Sequence, residues 1–184
     1  MLYTRKGDSG TTKTFGCDQR ISKSSAIAEV LGALDETNSF LGLCRSKTPE
    51  YKFELVGRKF EDILFGVQES LFIIQAELAG VVTKTIPPEK VKEMEGLVDA
   101  AEKEMPPIES FFIPGATELG AYFDVARTIA RRAERRVVAV AEEGQRPIGE
   151  HSKAYMNRLS SLLYALARLS NHRLGAVEKA PTYK

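Results

Sequence analysis

Ala126-Arg127-Thr128-Ile129-Ala130-Arg131-Arg132-Ala133-Glu134-Arg135-Arg136-Val137-Val138-Ala139-Val140-Ala141 decides how the rest of this chain is read. Five arginines fall within ten residues, yet the whole chain carries a formal charge of only +1. At about 100° per residue, Arg127, Arg131, Glu134 and Arg135 share one helical stripe. Ala126, Ala130, Ala133, Val137, Val140 and Ala141 occupy the adjoining apolar arc, and Arg132 and Arg136 are expected on the far side, toward solvent. Planar, permanently charged guanidinium groups at the edge of a packed face suit a partly buried polyanion, because they grip phosphate oxygens bidentately. An ordinary solvated charged face is the competing reading.

Working outward from this helix, four more segments show the same period. Ser24 and Ser25 can cap a first helix with Ile27, Val30, Leu31, Leu34, Asn38, Leu41 and Leu43 on its apolar side. A second is expected from about Pro49 to Val82, with Leu55, Phe60, Ile63, Leu64, Val67, Leu71, Ile74, Leu78 and Val81 inward. Pro87-Pro88 opens a third, which Pro106-Pro107 ends. Phe111-Phe112-Ile113-Pro114-Gly115 reads as an apolar linker into the arginine helix. After the turn Gly144-Gln145-Arg146-Pro147, a fifth helix runs from about Gly149 or His151 to Leu174, and Gly175 is a natural stop. No strand alternation or hairpin signal competes. The expected fold is all-α, an up-and-down five-helix bundle, preceded by an ordered arm.

The 184 residues predict a single domain over 1–184: an arm over 1–23, the bundle over 24–175 and a loose tail over 176–184. Hydrophobic residues at 43% and charged residues at 28% match an ordinary globular chain. Balanced charge argues against nucleic acid as a general partner, and the apolar stretches are too short to cross a membrane. Charge at Arg5-Lys6 precedes any hydrophobic run, so no secretory signal is expected. Cys17 and Cys44 have no metal-binding spacing and read as free thiols of a cytoplasmic protein.

The chemistry on offer is selective. Gly10 and Lys13 are separated by two threonines, so there is no Walker A loop. His151 and His172 lack the Glu-x-x-His pattern of metal bundles and are expected at the surface. Neither a general base nor a covalent nucleophile stands out, so the substrates of any reaction must bring their own reactivity. The protein would bind, orient and neutralise charge. The Gly/Thr/Ser-rich arm can offer N–H groups and hydroxyls to phosphate oxygens. Asp35 lies within the apolar period of the first helix, so it is expected to be partly buried beside the arginine stripe. Asn157, Ser161, Tyr164 and Arg168 form a polar stripe on the last helix, suited to a nucleoside or simply to the bundle edge.

Together these motifs resemble the PduO-type ATP:cob(I)alamin adenosyltransferases over nearly the whole chain. The resemblance rests on Tyr3-Thr4-Arg5-Lys6-Gly7-Asp8-Ser9-Gly10-Thr11-Thr12, on Leu34-Asp35-Glu36-Thr37-Asn38-Ser39, on Phe111 to Gly115 followed by Ala126 to Arg135, and on Asn157-Arg158-Leu159-Ser160. It implies a homotrimer with active sites between subunits, taking ATP with Mg²⁺ and transferring its 5′-deoxyadenosyl group to cob(I)alamin with release of triphosphate. It implies that Thr4, Arg5, Lys6, Gly7, Asp8, Ser9, Gly10, Thr11, Thr12, Lys13 and Lys23 wrap the phosphates. Arg131, Glu134, Arg135 and Asn157 would complete the nucleotide site. Asp35 and Arg127 would pair across the interface, and Phe111 would sit against the corrin and help exclude a lower ligand from cobalt. A reductase and an adenosylcobalamin-dependent enzyme would be partners. Two departures accompany the match: Ser161 stands where many relatives have aspartate, and the linker has Phe112 as a second aromatic. A nucleotide or cobalamin carrier and an RNA-binding bundle remain the alternatives from sequence, the latter predicting steep salt dependence.

Overall fold

The computed structural model describes residues 3–15, 19–81 and 83–183, so Gly16 and Cys17 of the arm and Val82 lie outside the described residues. Five helices dominate: α1 (Ala26–Lys47), α2 (Phe60–Leu78), α3 (Pro88–Lys103), α4 (Glu118–Glu142) and α5 (Glu150–Arg173). Two small antiparallel hairpins accompany them, β1 (Thr11–Lys13) with β2 (Arg20–Ser22), and β3 (Glu54–Leu55) with β4 (Arg58–Lys59).

Local chemistry sets the helix ends. Ser25 caps α1 by accepting from the Ala28 N–H, and Thr117 caps α4 by accepting from Gly120. At the end of α5, Gly175 takes a left-handed φ of 66°, and the Gly175 and Ala176 amides close back on His172 and Asn171. Pro88 opens α3 in its first turn.

The second helix begins at Phe60 rather than near Pro49. Thr48–Glu50 forms a single 3₁₀ turn, and the chain then makes the β3–β4 hairpin. Val56 (φ 52°) and Gly57 (φ 69°) occupy its two-residue turn. A β-branched residue is a poor choice for positive φ, which is why this turn left no sequence signal. What rewards it is packing: the Phe60 amide bonds the Phe53 carbonyl, and Phe53, Phe60 and Phe123 meet edge to face.

Helix α4 packs between α1 and α5, with α2 against α1 and α3 against α5. Ala126, Ala130 and Ala133 are essentially inaccessible, as are Leu159, Leu162, Leu163, Leu166 and Leu169 on the facing side of α5. Small residues on α4 let both neighbours approach closely. Asn38 and Gln68 tie α1 to α2 by exchanging amide hydrogen bonds with each other's carbonyls, whereas Leu43, expected inward, is exposed.

Arg132 and Arg136 do not point to open solvent. They reach across to α1, where Arg132 pairs with Glu36 and Arg136 with Glu29 at 2.6 Å. Being half-exposed, each pair is worth at most about 1 kcal/mol. The tail is not loose either: the Ile113 amide donates to the Lys179 carbonyl at 2.8 Å, and Glu178 reaches into the bundle. Cys44 is a buried free thiol whose pKa is pushed up to about 12 by desolvation.

The tightest approach lies where α4 starts. A Cβ on Gly120 would sit 2.1 Å from Asn171 Oδ1, inside a network that also holds Thr117. Gly120→Ala is therefore expected to destabilise the fold by about 1–3 kcal/mol, read as a lower midpoint in urea unfolding with unchanged slope.

Candidate active site

The described part of the arm is built on one guanidinium. Arg20, on β2, donates to the Thr11 hydroxyl and the Thr11 carbonyl, each at 2.8 Å, and to the Lys6 carbonyl at 2.5 Å. The 5–10 segment turns twice, with Asp8 N–H bonded to Arg5 and Gly10 N–H to Gly7. The Lys23 amide then closes on the Gly10 carbonyl. Gly10 has a φ of 79°, and a Cβ on Gly7 would crowd Lys23 Nζ and the Thr11 carbonyl at 3.3 Å. These two glycines are what the geometry requires.

The result is a concavity of about 440 Å³ lined by Thr4, Lys6, Gly7, Thr11, Thr12, Lys13, Arg20 and Lys23. Four cationic side chains and three hydroxyls face it, and no described carboxylate lines it. That is the donor set of a polyphosphate cradle. Of the eleven arm residues named from sequence, seven line this hollow. Arg5, Asp8, Ser9 and Gly10 shape the turn instead, with Arg5 lying over the Tyr3 ring at 5.6 Å. Arg20 joins the lining although no motif of the sequence singles it out; its part depends on strand pairing.

A second hollow, of about 280 Å³, lies between α4 and α5. Arg131, Glu134, Arg135 and Asn157 all line it, whereas Arg127, the fourth member of the helical stripe, does not. Asn157 donates to Glu134 at 2.9 Å and accepts from Arg158 at 2.6 Å, so its amide is held from both sides. Arg158 is itself anchored by Glu95 of α3 at 2.9 Å. Among the described residues, Arg131 and Arg135 form no ion pair, which leaves two guanidinium groups for an external anion.

Asp35 is exposed on α1, not partly buried, and it forms no ion pair among the described residues. Arg127 is half-buried, 3.6 Å from Asp124 and 5.9 Å from the centre of the Tyr164 ring, and its Nε is buried without a hydrogen-bond partner. Phe111 is 76% exposed. Phe112 is turned inward against the Arg168 guanidinium at 5.8 Å, so the two linker aromatics have different surroundings.

Arg168 departs most from the polar-stripe reading. It is 2% exposed and paired with Asp124 of α4 and, at 2.5 Å, with Glu178 of the tail. It faces the core edge, not a nucleoside. A lone arginine in Leu166-Ala167-Arg168-Leu169 and a lone aspartate after Phe123 were the available signals. Burial pushes the Tyr164 hydroxyl above its ordinary range, against the pull of the Arg168 guanidinium, which lowers it. The described residues contain no cluster of three or more metal-ligating side chains.

A polyphosphate cradle on an arm and an arginine groove on a helical bundle now stand together in one chain, and a family profile described as cobalamin adenosyltransferase matches residues 2–170. The chain belongs to the cobalamin adenosyltransferase family. It is 38% identical over 179 residues to the corrinoid adenosyltransferase PduO of Citrobacter freundii, covering 93% of this chain and 50% of that protein. The corrinoid adenosyltransferase of Bacillus subtilis (strain 168) is also 38% identical, covering 95% of this chain and 88% of that one. The chain thus spans about half the length of the PduO relatives it matches. Its fold superposes on a phenylalanine-to-histidine variant of the PduO-type ATP:corrinoid adenosyltransferase from Lactobacillus reuteri, complexed with cobalamin and ATP. The TM-score is 0.86 at 26% identity, covering 99% of this chain and 97% of that one. An arginine-to-lysine variant of the Lactobacillus reuteri enzyme, complexed with ATP, gives 0.84, covering 98% and 99%.

The crowding at Gly7 gives a direct check on the cradle of this cobalamin adenosyltransferase family member. Gly7→Ala pushes against the Lys23 ammonium and is expected to weaken binding of inorganic tripolyphosphate in this hollow by ~10-fold, on the order of one charge-assisted hydrogen bond. Calorimetric titration measures this, and the helical circular dichroism should be unchanged.

Proposed function

We propose that this chain transfers the 5′-deoxyadenosyl group of ATP to the cobalt of cob(I)alamin, giving adenosylcobalamin and triphosphate. The observation that carries the reading is a cation-rich hollow with no described carboxylate in its lining, together with a second hollow that holds two guanidiniums outside any described ion pair, on a chain of this family. Relatives of the same fold hold ATP and cobalamin in their complexes. The absence of a nucleophile among the site residues is chemically consistent, because cobalt(I) is itself the nucleophile. Its electron pair attacks C5′ of ATP, the C5′–O5′ bond breaks, and the triphosphate leaves with the bonding electrons. Charge builds on that leaving group, where Lys6, Lys13, Lys23, Arg131 and Arg135 would stabilise it.

The same proposal gives the nucleotide a Mg²⁺ ion held mainly by phosphate oxygens, to which the Thr4, Thr11 and Thr12 hydroxyls of the hollow would add oxygen ligands. Magnesium would supply further neutralisation of the leaving group. We place the arm hollow of one subunit against the groove of its neighbour in a homotrimer of single-domain chains, since no residue lines both hollows in one chain. Asp35, exposed and with no ion pair among the described residues, and Arg127, whose Nε has the Asp124 carboxylate at 3.6 Å but no hydrogen-bond partner, support pairing between subunits. No described helix is long and apolar enough to cross a membrane, and a cytoplasmic setting with a reductase partner belongs to this proposal. An adenosylcobalamin-dependent enzyme would receive the product.

Phe111 would lie against the corrin, where an apolar surface disfavours a water ligand on cobalt and eases reduction to cobalt(I). The central experiment is anaerobic mixing of purified protein, MgATP and cob(I)alamin, followed by the corrin spectrum and triphosphate release. Stoichiometric conversion supports the transfer; ATP binding without conversion overturns it in favour of a carrier. Arg127→Ala should reduce turnover by ~100-fold or more, the cost of removing a preorganised charge contact, and shift sedimentation toward monomer. Phe111→Ala should leave ATP affinity intact and slow the reaction started from cobalt(II) more than the reaction started from cobalt(I).

A further inference from the structure

The adenosyltransferase reading leaves Arg168 and the tail without a task, yet they form the most deeply buried charge network described. Arg168 Nη2 donates to Asp124 Oδ2, and Nη1 lies 2.5 Å from Glu178 Oε1. Asp124 offers its other oxygen to Arg127 Nε at 3.6 Å. Glu178 also accepts from Asn171 Nδ2 at 2.6 Å, and Asn171 Oδ1 accepts from Thr117 at 2.5 Å. Two arginines and two carboxylates thus balance in charge, contributed by α4, α5 and the tail.

The network touches the linker at two adjacent points. The Arg168 guanidinium supports the Phe112 ring at 5.8 Å, and the next residue, Ile113, donates its amide to Lys179, the neighbour of Glu178. The exposed Phe111 is therefore attached to residues fixed from the inside. At its other end the network reaches Arg127 through a shared carboxylate. Buried ion pairs can often be replaced by apolar residues without loss of stability, so stability alone is a weak reason to build one. What this one does visibly is orient two groups on different elements.

We propose that Glu178, acting through Arg168 and Asp124, is a positioning residue: the tail holds the Phe111–Ile113 linker and Arg127 in the arrangement that receives the corrinoid. The proposal rests on the adenosyltransferase reading for its ligand, though not for its structural half. Without Glu178, Arg168 keeps only Asp124, the Phe112 support loosens, and the Lys179–Ile113 bond opens more often. The nucleotide hollows contain none of these residues, so ATP binding is untouched.

The test uses the full chain with Glu178→Ala and the milder Glu178→Gln, which keeps an acceptor for Asn171 but loses the charge. Amide exchange at Ile113, read by nuclear magnetic resonance, should accelerate by ~10-fold or more while interior α5 amides stay protected. In steady-state assays the KM for cob(I)alamin should rise ~10-fold, with the KM for ATP unchanged, as expected for a misplaced wall and not a lost substrate contact. If Glu178→Ala does not fold, Glu178→Gln carries both measurements. Unchanged Ile113 exchange in the folded variants, or ATP and corrinoid KM rising together, overturns the proposal. Wild-type protein that transfers no adenosyl group overturns the activity instead, and Ile113 exchange then decides separately whether Glu178 holds the linker.

Discussion

The alanine face of α4 is the constraint on which everything else depends. Ala126, Ala130 and Ala133 bring α1 and α5 close on either side, with Gly120 and Asn171 nearly in contact at one end. A large side chain at those positions would hold the helices apart, and the arginines beside them would lose their bearings. Because the approach is close, the flanking guanidiniums must leave the interface on one side or the other. Arg132 and Arg136 exit toward α1 and meet Glu36 and Glu29. Arg131 and Arg135 exit toward α5, where Asn157 and Glu134 define the groove. Packing of methyl groups thus sorts these four cations into an ion-paired set and a set without a described ion pair.

A similar division of labour runs through the arm. Arg20 is spent on backbone and hydroxyl acceptors, which folds the loop. Lys6, Lys13 and Lys23 then face the hollow that the fold creates. Concentrating cations there with no described carboxylate in the lining costs electrostatic energy, which a bound polyanion would reduce. In the proposed transfer this preorganisation would serve a leaving group that acquires charge only as the reaction proceeds. Arg168 shows the opposite case, a cation so deeply buried that two carboxylates must accompany it. The first set is arranged around an open hollow and the second around the protein's own carboxylates.

How much of this was legible in the sequence follows from the range of the interactions. Helix periodicity is local, so all five helices, the Ser25 cap and the Gly175 stop could be read directly. The stripe of Arg131, Glu134 and Arg135 with Asn157 followed from spacing and resemblance together. The β3–β4 hairpin was not legible, because Val56 sits at a positive φ that only the Phe53–Phe60–Phe123 packing makes worthwhile. Helical periodicity also made Asp35 look more buried than it is, since its position near the edge of the apolar arc leaves its side chain at the surface.

By itself the sequence determined the all-α bundle, the phosphate-friendly arm, the arginine stripe and, by resemblance, the family. These depend on residues near one another along the chain or on motifs in a fixed order. Only the tertiary structure decided which arginines are free, which aromatic of the linker is exposed, and what holds the tail. Arg168, Asp124 and Glu178 lie on three separate elements, 44 residues apart in the first pairing. Periodicity can place each of them at the edge of a helix or in a tail. Their meeting depends on how closely α4 and α5 approach and on the tail's return to Ile113, and both are settled by packing across the whole molecule.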